Sequence, residues 1–225
     1  MKVLLFSCVT CLILASCKTA YFSSPNDLNY ISGTLFLSNG KTLEGKISVK
    51  EGWGGTVKIY LPGDKNPQRF DFSEVDGYKI RNEYYERKEI RDGGSLSSSF
   101  RFHFMKKLTP DNSKIGLYEY VDEQTYYASY GYGYRSRGTT PVTSLEKNYY
   151  VQLPHERGDG VWSIGQSKFV PNFDEKMSKL VEDCPQLSQK IANKEKGYFY
   201  SQFGGSDEKR VDMLWTIINE YNKCQ

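Results

Sequence analysis

The chain has 225 residues, and its 30 Lys and Arg against 27 Asp and Glu leave a formal charge of only +3. The two signs are interspersed and form no basic stripe, so no nucleic-acid partner is expected. Low mean hydropathy excludes membrane spans beyond the first segment. Aromatic residues, at 15% with 18 Tyr, depart from an average domain more than the charge does.

Lys2 is followed by an apolar run from Val3 to Leu14 and then by Ala15, Ser16 and Cys17. The run has signal-peptide length, and it falls short of the roughly 20 residues a spanning helix needs. Leu14-Ala15-Ser16-Cys17 resembles the lipobox of bacterial lipoproteins, in which the cysteine sulfur takes a diacylglyceryl group and becomes the mature N-terminus. The resemblance implies a signal peptide at 1–16, acylation of Cys17 and a lipid bilayer as partner. Two or three acyl chains hold a domain stably, since each buried methylene contributes about 0.8 kcal/mol. Cys8 and Cys11 leave with the signal. The competing readings are an ordinary signal peptide or a buried N-terminal strand. After Cys17 there is neither the Asp of enterobacterial inner-membrane retention nor the acidic cluster of surface export in Bacteroidota. By that analogy the protein faces the periplasm from an outer membrane.

Residues 17–29, with Ser23-Ser24-Pro25-Asn26, read as a lipid-anchored tether, and residues 30–170 as a β-rich domain. Ile31–Leu37 and Thr42–Val49 are strands joined at Asn39-Gly40, a strong hairpin signal. Gly52-Trp53-Gly54-Gly55 leads to a strand at Val57–Leu61, and Pro62-Gly63-Asp64 turns it into Gln68–Phe72. A short turn at 73–77 precedes one strand from Tyr78 to about Ile90, and a Gly/Ser loop follows. Phe100, Phe102 and Phe104 alternate with Arg101, His103 and Met105, which predicts a half-buried strand with His103 outside. Ile115–Val121, Asn148–Leu153 and Val161–Phe169 supply the last strands.

Composition changes at Pro171, and residues 171–225 predict three short helices packed on the sheet domain. Asn172 with Glu175 has capping-box spacing, and Met177, Leu180, Val181 and Cys184 share one helical face. Pro185 restarts a helix through Leu187 and Ile191. Ser206 caps the last one, whose stripe is Val211, Leu214, Trp215, Ile218 and Tyr221. The fold class is thus α+β: a mainly antiparallel β domain, as a curled sheet or small open barrel, and a C-terminal helical segment.

Cys184 and Cys224 remain after the lipid cysteine, and an even count in an oxidising compartment suggests a disulfide. Closing a loop of about 40 residues contributes up to roughly 4 kcal/mol in the chain-entropy model. Two buried free thiols are the alternative. Neither cysteine has a thiol or His at ligand spacing, so no metal and no cofactor is expected.

His103 and His155 lack a neighbouring nucleophile motif or patterned carboxylate, so the chain is not expected to be an enzyme; a hydrolase site assembled from distant loops is the alternative. Arg157-Gly158-Asp159 has the form of an adhesion tripeptide but is first a turn between strands. The most unusual segment is the Tyr/Gly loop 124–140, where Tyr126, Tyr127, Tyr130, Tyr132 and Tyr134 alternate with small residues before Arg135 and Arg137. Glycine supplies backbone freedom and tyrosine flat amphipathic faces, the composition of a binding surface for an envelope protein or glycan. A low-complexity hairpin insertion is the competing reading.

Gly33-Thr34, the run Asn39-Gly40-Lys41-Thr42-Leu43-Glu44-Gly45-Lys46-Ile47, and the Leu117-Tyr118-Glu119-Tyr120 strand are carried together with Asp183-Cys184-Pro185-Gln186-Leu187 and Glu220-Tyr221-Asn222-Lys223-Cys224. Together they resemble a group of uncharacterised envelope lipoproteins of Bacteroidota. That resemblance implies location, with no catalytic residues to carry over. The chain therefore reads as a membrane-anchored, non-enzymatic binding or scaffolding module, with glycan or peptidoglycan binding through the Tyr-rich loop as the alternative.

Overall fold

Among the described residues eleven strands form one sheet that curls twice, and three helices cover part of its outer surface. The computed structural model describes residues 19–50, 55–91, 102–129, 139–154, 158–201 and 205–224, with side chains omitted at 122–129 and 139–140. In chain order the strands are β1 (Tyr21–Ser24), β2 (Asp27–Leu37), β3 (Thr42–Lys50), β4 (Thr56–Tyr60), β5 (Gln68–Asp71) and β6 (Val75–Ile80). They continue as β7 (Glu83–Ile90), β8 (Phe102–Lys107), β9 (Gly116–Ser129), β10 (Thr139–Gln152) and β11 (Gly160–Ser163). The helices are α1 (Phe173–Leu180), α2 (Pro185–Ala192) and α3 (Asp207–Tyr221). The class is α+β, as the sequence indicates.

Neighbouring strands follow the order β11-β10-β9-β8-β7-β6-β2-β3-β4-β5, with β1 beside β2. A further parallel pairing sets Gly160 against Glu89 and Val161 against Ile90, so β7 to β11 close into a ring of five strands. The Glu89 N–H donates to the Asp159 carbonyl at 2.7 Å and the Arg91 N–H to the Val161 carbonyl at 2.9 Å. An odd number of up-and-down strands requires one parallel pair to close, and this is it.

The other curl wraps β2 to β8 around Leu35, Ile47, Val57, Ile59, Tyr78 and Phe104, all fully buried. Gly33 and Gly45 lie opposite one another in β2 and β3, where a Cβ would strike the carbonyl oxygens of Lys79 and Tyr60. The bend is therefore tight enough to demand glycine at both points. At Asn39-Gly40 the chain reverses as expected, with the Gly40 N–H donating to the Leu37 carbonyl at 2.9 Å.

Several expectations change, among them the strand expected over Val161–Phe169, which ends at Ser163. The segment 17–29 is not a tether from Tyr21 onward: β1 and β2 occupy it, with Asn26 and Leu28 each only 1% exposed. The sheet thus begins at Tyr21, ahead of the expected boundary at residue 30. The strand expected from Tyr78 to Ile90 is two, β6 and β7, reversing at Arg81 (φ 49°) and Asn82 (φ 67°). Both residues take the left-handed conformation that tight hairpins favour, without the Gly that usually announces it. In β8 both faces are buried: Phe104 enters the first core while His103 and Met105 point into the ring.

The segment 124–140 is also no simple loop. Gln124–Ser129 pairs residue by residue with Thr139–Ser144, continuing the β9–β10 hairpin as a two-stranded ribbon. The ribbon leaves the sheet because β8 pairs with β9 only at Glu119 and Tyr118.

The helices bury most of the stripes read from the sequence, while Leu180 and Trp215 are only half-buried at the margin. Met177, Val181, Cys184, Leu187, Ile191, Val211, Leu214, Ile218 and Tyr221 are buried against Ile115, Leu117, Tyr149 and Val151, the outer face of β9 and β10. Ile217 joins them. Asn172 stands before α1 in a left-handed conformation, and its side chain reaches Glu175 at 3.4 Å in place of the backbone, so the capping box does not form. Cys184 and Cys224 are joined in a disulfide, tying the start of α2 to the end of α3.

Candidate functional site

The alternation of β7 sends Glu86, Lys88 and Ile90 to the inside of the ring and Tyr85 and Arg87 to the first core. Met105 pairs with Glu86 and His103 with Lys88 from β8. Tyr118, Tyr120, Tyr150 and Val161 complete the apolar part of the interior. Lys88 is 1% exposed, so its charge must be met inside. Its Nζ donates to Glu86 Oε1 at 2.6 Å and Gln152 Oε1 at 3.0 Å, and lies 4.8 Å from the centre of the Tyr118 ring.

The Tyr118 hydroxyl stands 3.1 Å from Glu86 Oε2 and 2.9 Å from Gln152 Oε1, with one hydrogen to donate between them. Burial, then the Glu86 carboxylate, pushes its pKa far up, so Tyr118 remains a donor at any physiological pH. The Gln152 amide donates to the Gly158 carbonyl at 2.9 Å, which fixes its oxygen toward Lys88 and Tyr118. Four side chains from three strands thus share one polar network.

Glu86, Tyr118 and Gln152 of this network line a cleft of about 240 Å³ at the end of the ring where β7 and β9 begin and β8 and β10 end. Its rim holds Lys107, Asp111, Ser113 and Lys114. Lys107 Nζ bonds Asp111 Oδ1 at 2.7 Å and lies 3.7 Å from Glu86 Oε2. Lys114 reaches the helical tail, donating to the Cys224 carbonyl at 2.7 Å and standing 4.6 Å above the Tyr221 ring.

Glu86, Lys107, Thr109 and Asp111 also line a second, shallower hollow of about 800 Å³. It runs across the ends of β6 and β7 to Phe36, with Lys79, Asn82, Glu83, Tyr84 and Lys106 along it. Phe36 and Tyr84 meet edge to face at 5.5 Å. Burial, with Glu86 behind it, raises Tyr84 to about 12. A hydrogen bond from Lys106, seconded by the Tyr85 hydroxyl, holds Glu83 below its ordinary value. Lysines and carboxylates both line the groove. Such a surface offers paired donors and acceptors beside aromatic faces.

His103 packs at a tilt against Tyr120, ring centres 4.9 Å apart, inside the ring of strands and is not among the residues lining either hollow, and His155 lies outside the described residues. Among the described residues no three His, Cys, Asp or Glu side chains gather as a metal site.

Cys17, Tyr130, Tyr132, Tyr134, Arg135 and Arg137 lie outside the described residues. Tyr126 and Tyr127 belong to β9, opposite Val142 and Pro141. Sequence reading missed Glu86, Lys88, Tyr118 and Gln152, whose one signal is the charged pair two apart in a strand. Comparison with known proteins finds no matching family model, and no match among curated proteins or solved structures.

Proposed function

We propose that the protein is a lipid-anchored module of a bacterial envelope that binds an extended polar ligand, a glycan strand, without catalysing its turnover. The observation that carries this reading is the continuity of the two hollows through Glu86, Lys107, Thr109 and Asp111. A saccharide presents hydroxyls that need both donors and acceptors, together with apolar ring faces that suit aromatic edges. The groove has Gln152, Asp111 and Lys107 for the first and Phe36 and Tyr84 for the second. Its mixed charge gives no uniform positive field for a phosphate backbone.

The anchoring half rests on Cys17 and the apolar run before it. Cys17→Ala abolishes incorporation of a fatty-acid probe if it is correct; undiminished labelling removes it. The binding half is tested by retention of the full chain on purified peptidoglycan and on envelope polysaccharide. Tyr84→Ala with Asp111→Ala is expected to lower affinity about tenfold or more. Equal retention by this variant, with loss on deleting 126–137, would move binding from the groove to the tyrosine-rich ribbon.

A further inference from the structure

On the helical side, away from the groove, the turn after β11 and the exposed face of α1 border an open hollow of about 430 Å³. Its lining is Ser167, Lys168, Phe169, Lys176, Lys179 and Leu180, a mainly apolar wall with three lysines and, among the described residues, no carboxylate. Phe169 is buried and Leu180 half-buried, so the apolar surface is recessed. Lys176 Nζ donates to the Ser167 carbonyl at 2.7 Å, bridging helix and turn, and Lys168 Nζ lies 4.6 Å from the centre of the Trp162 ring. Lys179 is exposed one helical turn from Lys176. The carboxylate that α1 carries toward α2, Asp174, is engaged with Lys194 at 3.3 Å.

The geometry points to a binding site for a free anionic amphiphile: a single apolar chain ending in a carboxylate. The chain lies against the half-buried Leu180 and the methylene stems of the lysines, with Phe169 buried beneath them, and the head is held by the ammonium groups at the rim. Burying an apolar chain supplies the driving force, about 0.8 kcal/mol per methylene, while the rim charges select the anion and speed its capture. A bilayer surface is a poorer fit, because contact with lipid tails needs apolar side chains that protrude. The pocket volume falls within the usual range for small-ligand sites, about 300–1,000 Å³. This site shares no lining residue with the groove, so its test is independent of glycan binding.

The full chain, in vesicles of neutral phosphatidylcholine, is irradiated with a long-chain fatty acid bearing a diazirine, and the adduct is mapped by mass spectrometry. Labelling is expected within residues 167–180. Unlabelled fatty acid competes it away, and the neutral alcohol of the same chain length does not. In Lys176→Gln with Lys179→Glu, which keeps a donor for the Ser167 carbonyl, labelling falls about tenfold while circular dichroism is unchanged. Adducts elsewhere, equal competition by the alcohol, or undiminished labelling of the double variant overturn the proposal. So does a pocket labelled by a photoreactive anionic phospholipid and not by the fatty acid, which would assign this face to membrane contact.

Discussion

The side chain of Asn26 takes the place of a strand beside Phe104, 78 residues further along. The Phe104 N–H donates to Asn26 Oδ1 at 2.8 Å, and Asn26 Nδ2 donates to the Phe104 carbonyl at 3.4 Å. β8 has already parted from β9 at this level, so these backbone groups have no ladder to join. An unpaired buried backbone group costs about 1–3 kcal/mol. Asn26→Ala therefore lowers stability by about that amount for each group orphaned, read as a shift of the urea midpoint without a change in slope.

The same region separates an integral β1–β2 arm from a dispensable tether. Leu28→Ala is expected to cost about 2–5 kcal/mol, as for a leucine in a packed core. Deleting 18–29 should leave the sheet open beside Phe104 and destabilise the chain more than Leu28→Ala does. A denaturation midpoint unchanged by the deletion would restore the tether.

Inside the ring, Lys88 and Glu86 are worth more as a pair than apart. Lys88→Met leaves Glu86 facing Tyr118 and Gln152 without its closest cation, and removing one member of a buried pair costs about 3–5 kcal/mol. Combining it with Glu86→Gln should recover part of that loss. The measurement is a double-mutant cycle by chemical denaturation, in which simple additivity would count against the network.

Alkaline pH should unfold the protein through its tyrosines. Burial raises Tyr78, Tyr85, Tyr118 and Tyr200 well above 10, and lifts Tyr84 and Tyr221 to about 12. In Tyr221 the hydrogen bond to Asp183 adds to burial. The unfolded chain releases these protons from about pH 10 and the folded chain does not, so native protons exceed unfolded ones in that window. Stability is full below pH 10 and falls as pH rises toward 12. Tyrosinate absorbance is expected to rise together with loss of circular dichroism, and Tyr84→Phe should flatten the decline.

The disulfide makes a simpler prediction. Intact mass of the unreduced protein is lower by two hydrogens than that of the reduced form, with Cys184 and Cys224 linked in one peptide. Replacing both by Ser removes up to about 4 kcal/mol, with α2 and α3 loosened first.

Local chemistry made the tail and the first hairpin legible. Asn39-Gly40 marks its own turn, and the spacing of Met177, Val181 and Cys184 marks its own face. What stayed hidden depends on partners distant in sequence. Gln124–Ser129 looks loop-like by composition and becomes strand because 139–144 is opposite. Asn26 sits in a Ser-Pro-Asn run of turn residues and is buried because Phe104 needs it. The candidate site was hidden more deeply, since β7 carries charges on both faces. Glu86 and Lys88 look as solvent-facing as Arg87 and Glu89, and only closure by β11 turns one set inward.

That closure also dictates an order of events. β11 follows β7 by some seventy residues, and between them the chain must lay down β8, β9 and the whole β10 ribbon. Contacts of such separation form late, because the entropy of closing the loop is spent before they return anything. Until residue 160 arrives, the ring is open beside β7 and its interior lacks Val161. The chain therefore emerges with its future interior hydrated, and it sets that interior only when the last strand docks.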